Sequence, residues 1–339
     1  MTEIVREDKV MLEDYISTGL TELDLNISGS VTRYGGIKAG SMVEIVGWSG
    51  LGKTGLLMEI VASILYREGR VNVNDAENRL NAQYVGYFGI DINDINKTVP
   101  KTVTDMQTSV DEFFKKNEED GFDGWQISGT DSVAALCSQE ELDGNDPYGG
   151  TAAAKQLNKA CRMLTKDLSG HKRILVWINQ LRDNLDPMAR GKPRKTGGHG
   201  LDYYTDLRLI VGKGAPYKVE KKVKLENGRE VSKYIGINTT VEIDKSSIDV
   251  PFAKCNAPII WRYGMDDIQN NLKYLKDNRK DTKFGVGIDG FDGYVSMSKT
   301  LGFLDENPER ALMLREATVD LWHEIDEKFK QNRRPKGRF

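Results

Sequence analysis

The sequence is short of the residues that build extracellular and membrane proteins. It has 3 cysteines in 339 residues, Cys137, Cys161 and Cys255, an odd number at wide spacings that matches neither a disulfide framework nor a paired-cysteine metal site. It has no run of about 18 uncharged apolar residues, and Met1 to Val10 is charged rather than signal-like. A spanning or secreted chain is therefore disfavoured, and a reduced cytoplasmic protein without membrane contact is the expectation. The 3 histidines, His171, His199 and His323, stand apart from one another and from acids at metal spacing. An excess of one charge is also missing: 48 basic and 51 acidic residues leave a net −3, which excludes a globally basic nucleic-acid coat.

What is present is an ordinary globular composition, with 39% hydrophobic residues and 34 glycines in a length that suits one large or two ordinary domains. Positive charge is gathered locally. The segment from Arg182 to His199 holds Arg182, Arg190, Lys192, Arg194 and Lys195 against Asp183 and Asp186. Lys213 to Glu230 is also cation-rich, and Arg333 to Phe339 carries no acid.

The strongest motif is Gly47-Trp-Ser49-Gly50-Leu-Gly52-Lys53-Thr54-Gly55, which contains the full GxxxxGK[ST] pattern. Met42 to Val46 before it reads as a buried strand, and Leu56, Leu57, Ile60, Val61, Ile64 and Leu65 after it recur at helical spacing. In that context the glycines let successive backbone N–H groups face one anion at a helix N-terminus. Lys53 then reaches the β and γ phosphates, and the Thr54 hydroxyl ligates Mg²⁺. The alternative is a glycine turn that happens to spell the pattern.

Three further strand ends follow. Arg70 to Asp75 alternates and leads to Glu77, which either activates the attacking water or caps the next helix. Asp131 follows Trp125 to Thr130, a poor strand by its polar content; it is either the acid of the Mg²⁺ shell or a turn aspartate. Ile174 to Ile178 is fully apolar and ends in Asn179 and Gln180, a pair placed either to sense a γ-phosphate or to cap backbone. Beyond these, Lys213 to Gly236 reads as a hairpin turning at Asn227-Gly228. Ile268, Leu272 and Leu275 mark one helix, and Pro308 opens a longer one whose Trp322, Ile325 and Phe329 share a face.

Taken in order, Ile16-Ser-Thr-Gly-Leu-Thr-Glu-Leu-Asp24, the phosphate loop, Asp75-Ala-Glu77, Asp131 to Leu136, Ile178 to Arg182, Thr196-Gly197-Gly198 and Tyr263-Gly264 resemble the RecA family of DNA strand-exchange ATPases. The resemblance implies an α/β fold, a RecA-type core with a mainly parallel twisted sheet flanked by helices, and a small helical C-terminal subdomain. The expected division is a short N-terminal arm at 1–14 for protomer contact, where bacterial members of the family carry a long helical domain, then a core at 15–265, the subdomain at 266–332 and a basic tail at 333–339. The cofactors it implies are ATP and Mg²⁺, with Glu77 as catalytic glutamate, Gln180 linking the γ-phosphate to DNA, and Tyr84 beside the adenine. Lys245 and Tyr263 fall where residues reach the ATP of a neighbouring subunit, so self-assembly into a helical filament follows.

Two segments match the family's DNA-binding loops, near 139–150 and 183–198. In the first, Tyr148, Gly149 and Gly150 are the candidates. In the second they are Arg182, Met188, Arg190, Lys192, Arg194, Lys195, Thr196, Gly197 and Gly198, where a flexible cationic backbone suits phosphate tracking without base readout; a solvated basic loop is the alternative. The partners implied are single-stranded DNA, a homologous duplex, and single-strand-binding or loader proteins. The chain departs from the family at Ser247, where a second interface lysine is expected, and at Ser49, where a glutamate is. Its short ends suggest a phage-encoded member. The leading expectation is an ATP-dependent recombinase. A hexameric helicase motor and a nucleotide-binding regulatory paralogue are the alternatives, the latter opposed by the joint retention of Lys53, Glu77 and Gln180.

Overall fold

The computed structural model describes residues 13–145, 151–182, 194–195, 200–212, 217–279 and 296–330. Strands β1 (Tyr15–Ile16) and β2 (Ile37–Lys38) make a small antiparallel ribbon. The main sheet is built from β3 (Met42–Gly47), β4 (Arg70–Asp75), β5 (Ile95–Thr98), β6 (Gln126–Asp131), β7 (Arg173–Arg182), β8 (Arg194–Lys195), β9 (Leu207–Val211), β10 (Tyr217–Lys224), β11 (Glu230–Ser246), β12 (Lys254–Ile260) and β13 (Gly264–Met265). Its spatial order is β13-β12-β11-β9-β3-β7-β6-β4-β5, with β10 paired to β11 and β8 to β7. From β9 to β5 every pairing is parallel. From β9 outward through β11, β12 and β13 every pairing is antiparallel.

The helices are α1 (Thr21–Ser28), α2 (Lys53–Tyr66), α3 (Ala82–Gly86), α4 (Val103–Glu119), α5 (Gln139–Leu142), α6 (Thr151–Leu164), α7 (Gly200–Tyr204), α8 (Asp267–Arg279), α9 (Met297–Glu306) and α10 (Pro308–Phe329). Strand alternation decides which helix each residue meets. Ile174, Val176 and Ile178 join Leu56, Leu57 and Ile60 of α2 in one core. Leu175 and Trp177, one residue out of phase, join Met106, Val110 and Phe113 of α4 and Leu157 and Cys161 of α6 in another. Helix α4 starts on a capping box in which Thr102 and Asp105 bond each other's backbone N–H, so its register against the sheet is fixed at entry.

Strand β6, poor by composition, is buried along its length to Thr130. Ser128 is satisfied sideways: Asn72 Nδ2 donates to Ser128 Oγ at 3.0 Å, and Asn96 Nδ2 donates to Asn72 Oδ1 at 2.8 Å, whereas the buried Thr130 hydroxyl finds no partner among the described residues. Thr98 Oγ1 continues the chain to Asn74 Oδ1 at 2.7 Å. A ladder of amides and hydroxyls across β5, β4 and β6 replaces the apolar run a buried parallel strand usually shows.

A third core joins Leu272 and Leu275 of α8, Leu304 of α9, and Leu314 and Leu321 of α10. Helix α10 also leans on α1, where Trp322 Nε1 donates to Asn26 Oδ1 at 3.0 Å. The face read from sequence there is shifted: Phe329 is 75% exposed, while Leu314, Thr318, Val319 and Leu321 are the buried set, because α10 has to serve α1 and α8 at once. In the 139–150 segment, read as a loop, Gln139–Leu142 forms a helical turn with Ser138 Oγ accepting from Glu141 N. Among the described residues no helix is long and apolar enough to cross a membrane.

Candidate active site

The carboxyl ends of β3, β4, β6 and β7 converge where an open α/β sheet binds its ligands. A cleft of about 540 Å³ opens there, lined by the phosphate loop from Ser49 to Gly55, by Glu77, Tyr84, Asp131 and Gln180, and across from them by Ile259, Trp261 and Arg262. The loop enters α2 at Gly52, whose φ of 101° is left-handed. A Cβ built there would lie 2.1 Å from Ile259 Cδ1 and displace the end of that side chain, while the backbone angle itself requires glycine. Gly47 closes β3 against the backbone of Val211.

At the start of α2, Lys53 Nζ donates to Trp48 O at 2.8 Å, and Thr54 Oγ1 donates to Asp131 Oδ2 at 2.6 Å. Burial lowers the Lys53 ammonium below its usual value, opposed by the charges of Asp131 and Glu77. Burial pushes the Asp131 carboxyl up to about 6; the Thr54 hydroxyl opposes this, while Glu77 and Asp75 add to it. A desolvated ammonium, a hydroxyl and a carboxylate oxygen side by side form a donor set that fits phosphate oxygens together with a hard cation.

Glu77 is carried on a tight turn after β4. The Asp75 carboxylate accepts from Arg79 N at 3.0 Å and Leu80 N at 2.7 Å and pairs with Lys97 at 3.0 Å, which fixes the turn from below. The Glu77 carboxylate does not cap a helix; Asn81 caps α3 instead, accepting from Tyr84 N at 3.0 Å. Glu77 Oε1 accepts from Gln180 Nε2 at 2.7 Å and from Ser132 Oγ at 2.9 Å. Its Oε2 lies 2.8 Å from Arg79 Nη1. Tyr84 packs edge-on to Phe88, ring centroids 5.5 Å apart, and burial raises its hydroxyl to about 12.

The pair ending the apolar strand divides. Gln180 faces the cleft, whereas Asn179 Nδ2 donates to Glu44 Oε1 at 3.0 Å on the other side. Glu44 is itself held by Arg208 Nε at 2.7 Å, and Arg208 also reaches Asp202 and Asp244. Asn179 thus braces the sheet and does not look at the cleft. Gln180 lies inside β7, two residues before Arg182, and the backbone of Leu181 and Arg182 pairs with Lys195 and Arg194.

Lys245 and Tyr263 do not line the cleft of their own chain. Lys245 Nζ donates to Asp202 O at 2.7 Å and Thr205 O at 2.6 Å; Tyr263 stands half exposed on the turn between β12 and β13. That turn is tied to α2, because Glu59 Oε1 accepts from Met265 N at 2.7 Å beside Gly264. Tyr148, Gly149, Gly150, Met188, Arg190, Lys192, Thr196, Gly197 and Gly198 lie outside the described residues. Sequence reading missed Ser132, Arg79, Trp261 and Arg262. Ser132 follows Asp131 directly, and Arg79 sits two residues after Glu77, so proximity to a motif was the one available signal.

The sequence matches the RecA N-terminal domain family over residues 3–266. It is 29% identical over 317 residues to Protein RecA of Clostridioides difficile (strain 630), covering 93% of this chain and 82% of that protein. It is 28% identical over 254 residues to Protein RecA of Limosilactobacillus reuteri (strain DSM 20016), covering 74% of this chain and 65% of that one.

Proposed function

Because this chain belongs to the RecA family of recombinases, we propose that it hydrolyses ATP in the cleft above β3, β4, β6 and β7 and couples that hydrolysis to pairing and exchange of DNA strands. The observation that carries this reading is the 2.7 Å bond from Gln180 Nε2 to Glu77 Oε1. It joins the water-activating acid to the strand that runs directly into the cationic segment 183–198.

The chemistry follows from the chain's own groups. The phosphate loop and the α2 N-terminus cradle the phosphates, and Lys53 exchanges Trp48 O for the β and γ oxygens. Tyr84 packs beside the base. Thr54 and Asp131 present a hydroxyl and a carboxylate oxygen 2.6 Å apart, hard donors that fit Mg²⁺; when bound, the ion neutralises charge on the phosphate oxygens. Glu77 orients a water and takes its proton as the water oxygen attacks the γ-phosphorus and the bond to the bridging oxygen breaks, releasing ADP and phosphate. Ser132 and Gln180 hold Glu77 in place for that step. A Gln180 that follows the γ-phosphate moves the base of the DNA segment with it.

Single-stranded DNA is the first partner in this reading, tracked by Arg182, Arg190, Lys192, Arg194 and Lys195 without base readout. A homologous duplex is the second, selected by base pairing. Further copies of the chain assemble as a filament in which Lys245 and Tyr263 serve the neighbour's nucleotide. The test is ATP hydrolysis with and without unstructured single-stranded DNA, with Glu77→Gln as control, followed by strand exchange and imaging. Stimulation lost in the variant, with open filaments, supports the reading. Hydrolysis indifferent to DNA, or closed rings, sinks it.

A further inference from the structure

Arg79 belongs to none of the motifs above, yet it touches the acid on which hydrolysis turns. Its backbone is fixed, because Arg79 N donates to Asp75 Oδ1 at 3.0 Å. Its side chain is 77% exposed and lines the cleft, with Nη1 2.8 Å from Glu77 Oε2. Glu77 Oε1 already accepts from Ser132 and Gln180, so Arg79 claims the oxygen left to orient water. The guanidinium is the exposed member of the pair and the Glu77 side chain is 15% exposed, so it is Arg79 that is free to swing away to a more highly charged partner while Glu77 stays held.

The geometry also sets how far the guanidinium has to travel. A base at work lies about 2.6–3.2 Å from its water, and that water about 3–3.5 Å from the atom it attacks. A guanidinium in contact with Glu77 is thus within one water layer of the terminal phosphate. Its planar fork matches phosphate oxygens better than a point charge does. Of the other cations lining the cleft among the described residues, Lys53 sits on the phosphate loop and Arg262 on the opposite wall. Without Arg79, the negative Glu77 would face the terminal phosphate with no cation between them.

We propose that Arg79 exchanges Glu77 for the terminal phosphate of a bound nucleoside triphosphate, which frees Glu77 Oε2 for the attacking water and supplies a cation to the phosphate from the same chain. The inference rests on the hydrolytic reading of this cleft, and it gives the site a sensor that separates triphosphate from diphosphate.

The experiment compares the full chain with Arg79→Ala and Arg79→Lys, thermal melting serving as the folding control. Calorimetry reads binding of AMP-PNP and of ADP with Mg²⁺, and single-turnover assays with single-stranded DNA read hydrolysis at saturating ATP. For Arg79→Ala the expected result is roughly 10-fold weaker AMP-PNP binding with ADP changed less than about 2-fold, and hydrolysis slowed about 10- to 100-fold. Arg79→Lys recovers part of both. Equal loss for the two nucleotides, no loss, or faster hydrolysis overturns the proposal; the last makes Arg79 only a restraint on Glu77. If the wild-type chain binds ATP but does not hydrolyse it, the hydrolytic reading fails, and the AMP-PNP to ADP ratio still decides whether Arg79 meets the terminal phosphate.

Discussion

The two halves of the sheet are built on opposite terms. The parallel half from β9 to β5 lies between helices and buries polar and charged groups alongside apolar ones, its buried carboxylate held by pairing: Glu44 is 1% exposed and bonded to Asn179 and Arg208. The antiparallel half is more open. Its hairpin of β10 and β11 carries exposed lysines, and Val223, Val231 and Tyr234 are exposed as well. The first half supplies the groups that handle phosphate and water; the second supplies a wall of the cleft through Ile259, Trp261 and Arg262. Chemistry here sits where side chains are held from several directions, and adaptable surface sits where they are not.

Four substitutions would break or sharpen that contrast. The largest effect is expected from Glu77→Gln, which keeps the bulk of the side chain but removes the base: kcat for ATP should fall about 10³-fold while nucleotide affinity stays near wild type. Next is Arg208→Ala at the seam between the halves. It strands a buried Glu44 carboxylate, and urea unfolding should show a loss of about 3–5 kcal/mol.

Third is Glu59→Gln, which probes the tie between α2 and β13. Burial raises Glu59 to about 7 from 4.5. The folded chain therefore holds this proton more tightly than the unfolded chain, and the stability so gained is present below about pH 4.5 and lost as pH rises through 7. Gln never ionises and can still accept from Met265 N. Melting should rise by a few degrees at pH 8 and match wild type near pH 4.5; a gain equal at both pH values would remove the titration argument. Glu22 at about 7 and Asp24 at about 6, both raised first by burial, act in the same direction, so some pH dependence persists in the variant. Smallest is Lys222→Ala in the hairpin, whose 3.9 Å contact with Glu230 is solvent-exposed; the expected change is under about 0.5 kcal/mol, and a larger one would mean the open half is not merely adaptable.

Local pattern was enough to read the phosphate loop, its strand and its helix, because periodicity and glycine placement act over a few residues. Strand β6 misled, since Ser128 looks unfit for a buried strand until Asn72 and Asn74 are known to stand beside it. The division of Asn179 from Gln180 was implicit in the two-residue period of a strand, which puts neighbours on opposite faces. Ser132 and Arg79 were legible only as neighbours of motifs: each acquires meaning from Glu77, Ser132 through the pairing of β4 with β6 and Arg79 through the turn that Asp75 holds. The shifted face of α10 has the same origin, because a helix that serves two partners shows a compromise between two stripes.

The close approach at Gly52 has a mechanical meaning. The turn that grips phosphate and the strand bearing Ile259 stand so close that a Cβ at Gly52 would meet the end of the Ile259 side chain, so a shift of the turn is felt first by that side chain. Strand β12 pairs with β11, and β11 runs out into the hairpin. The rim of the molecule and the anion cradle are therefore joined by one continuous strand pairing, with the Ile259 side chain as its last link.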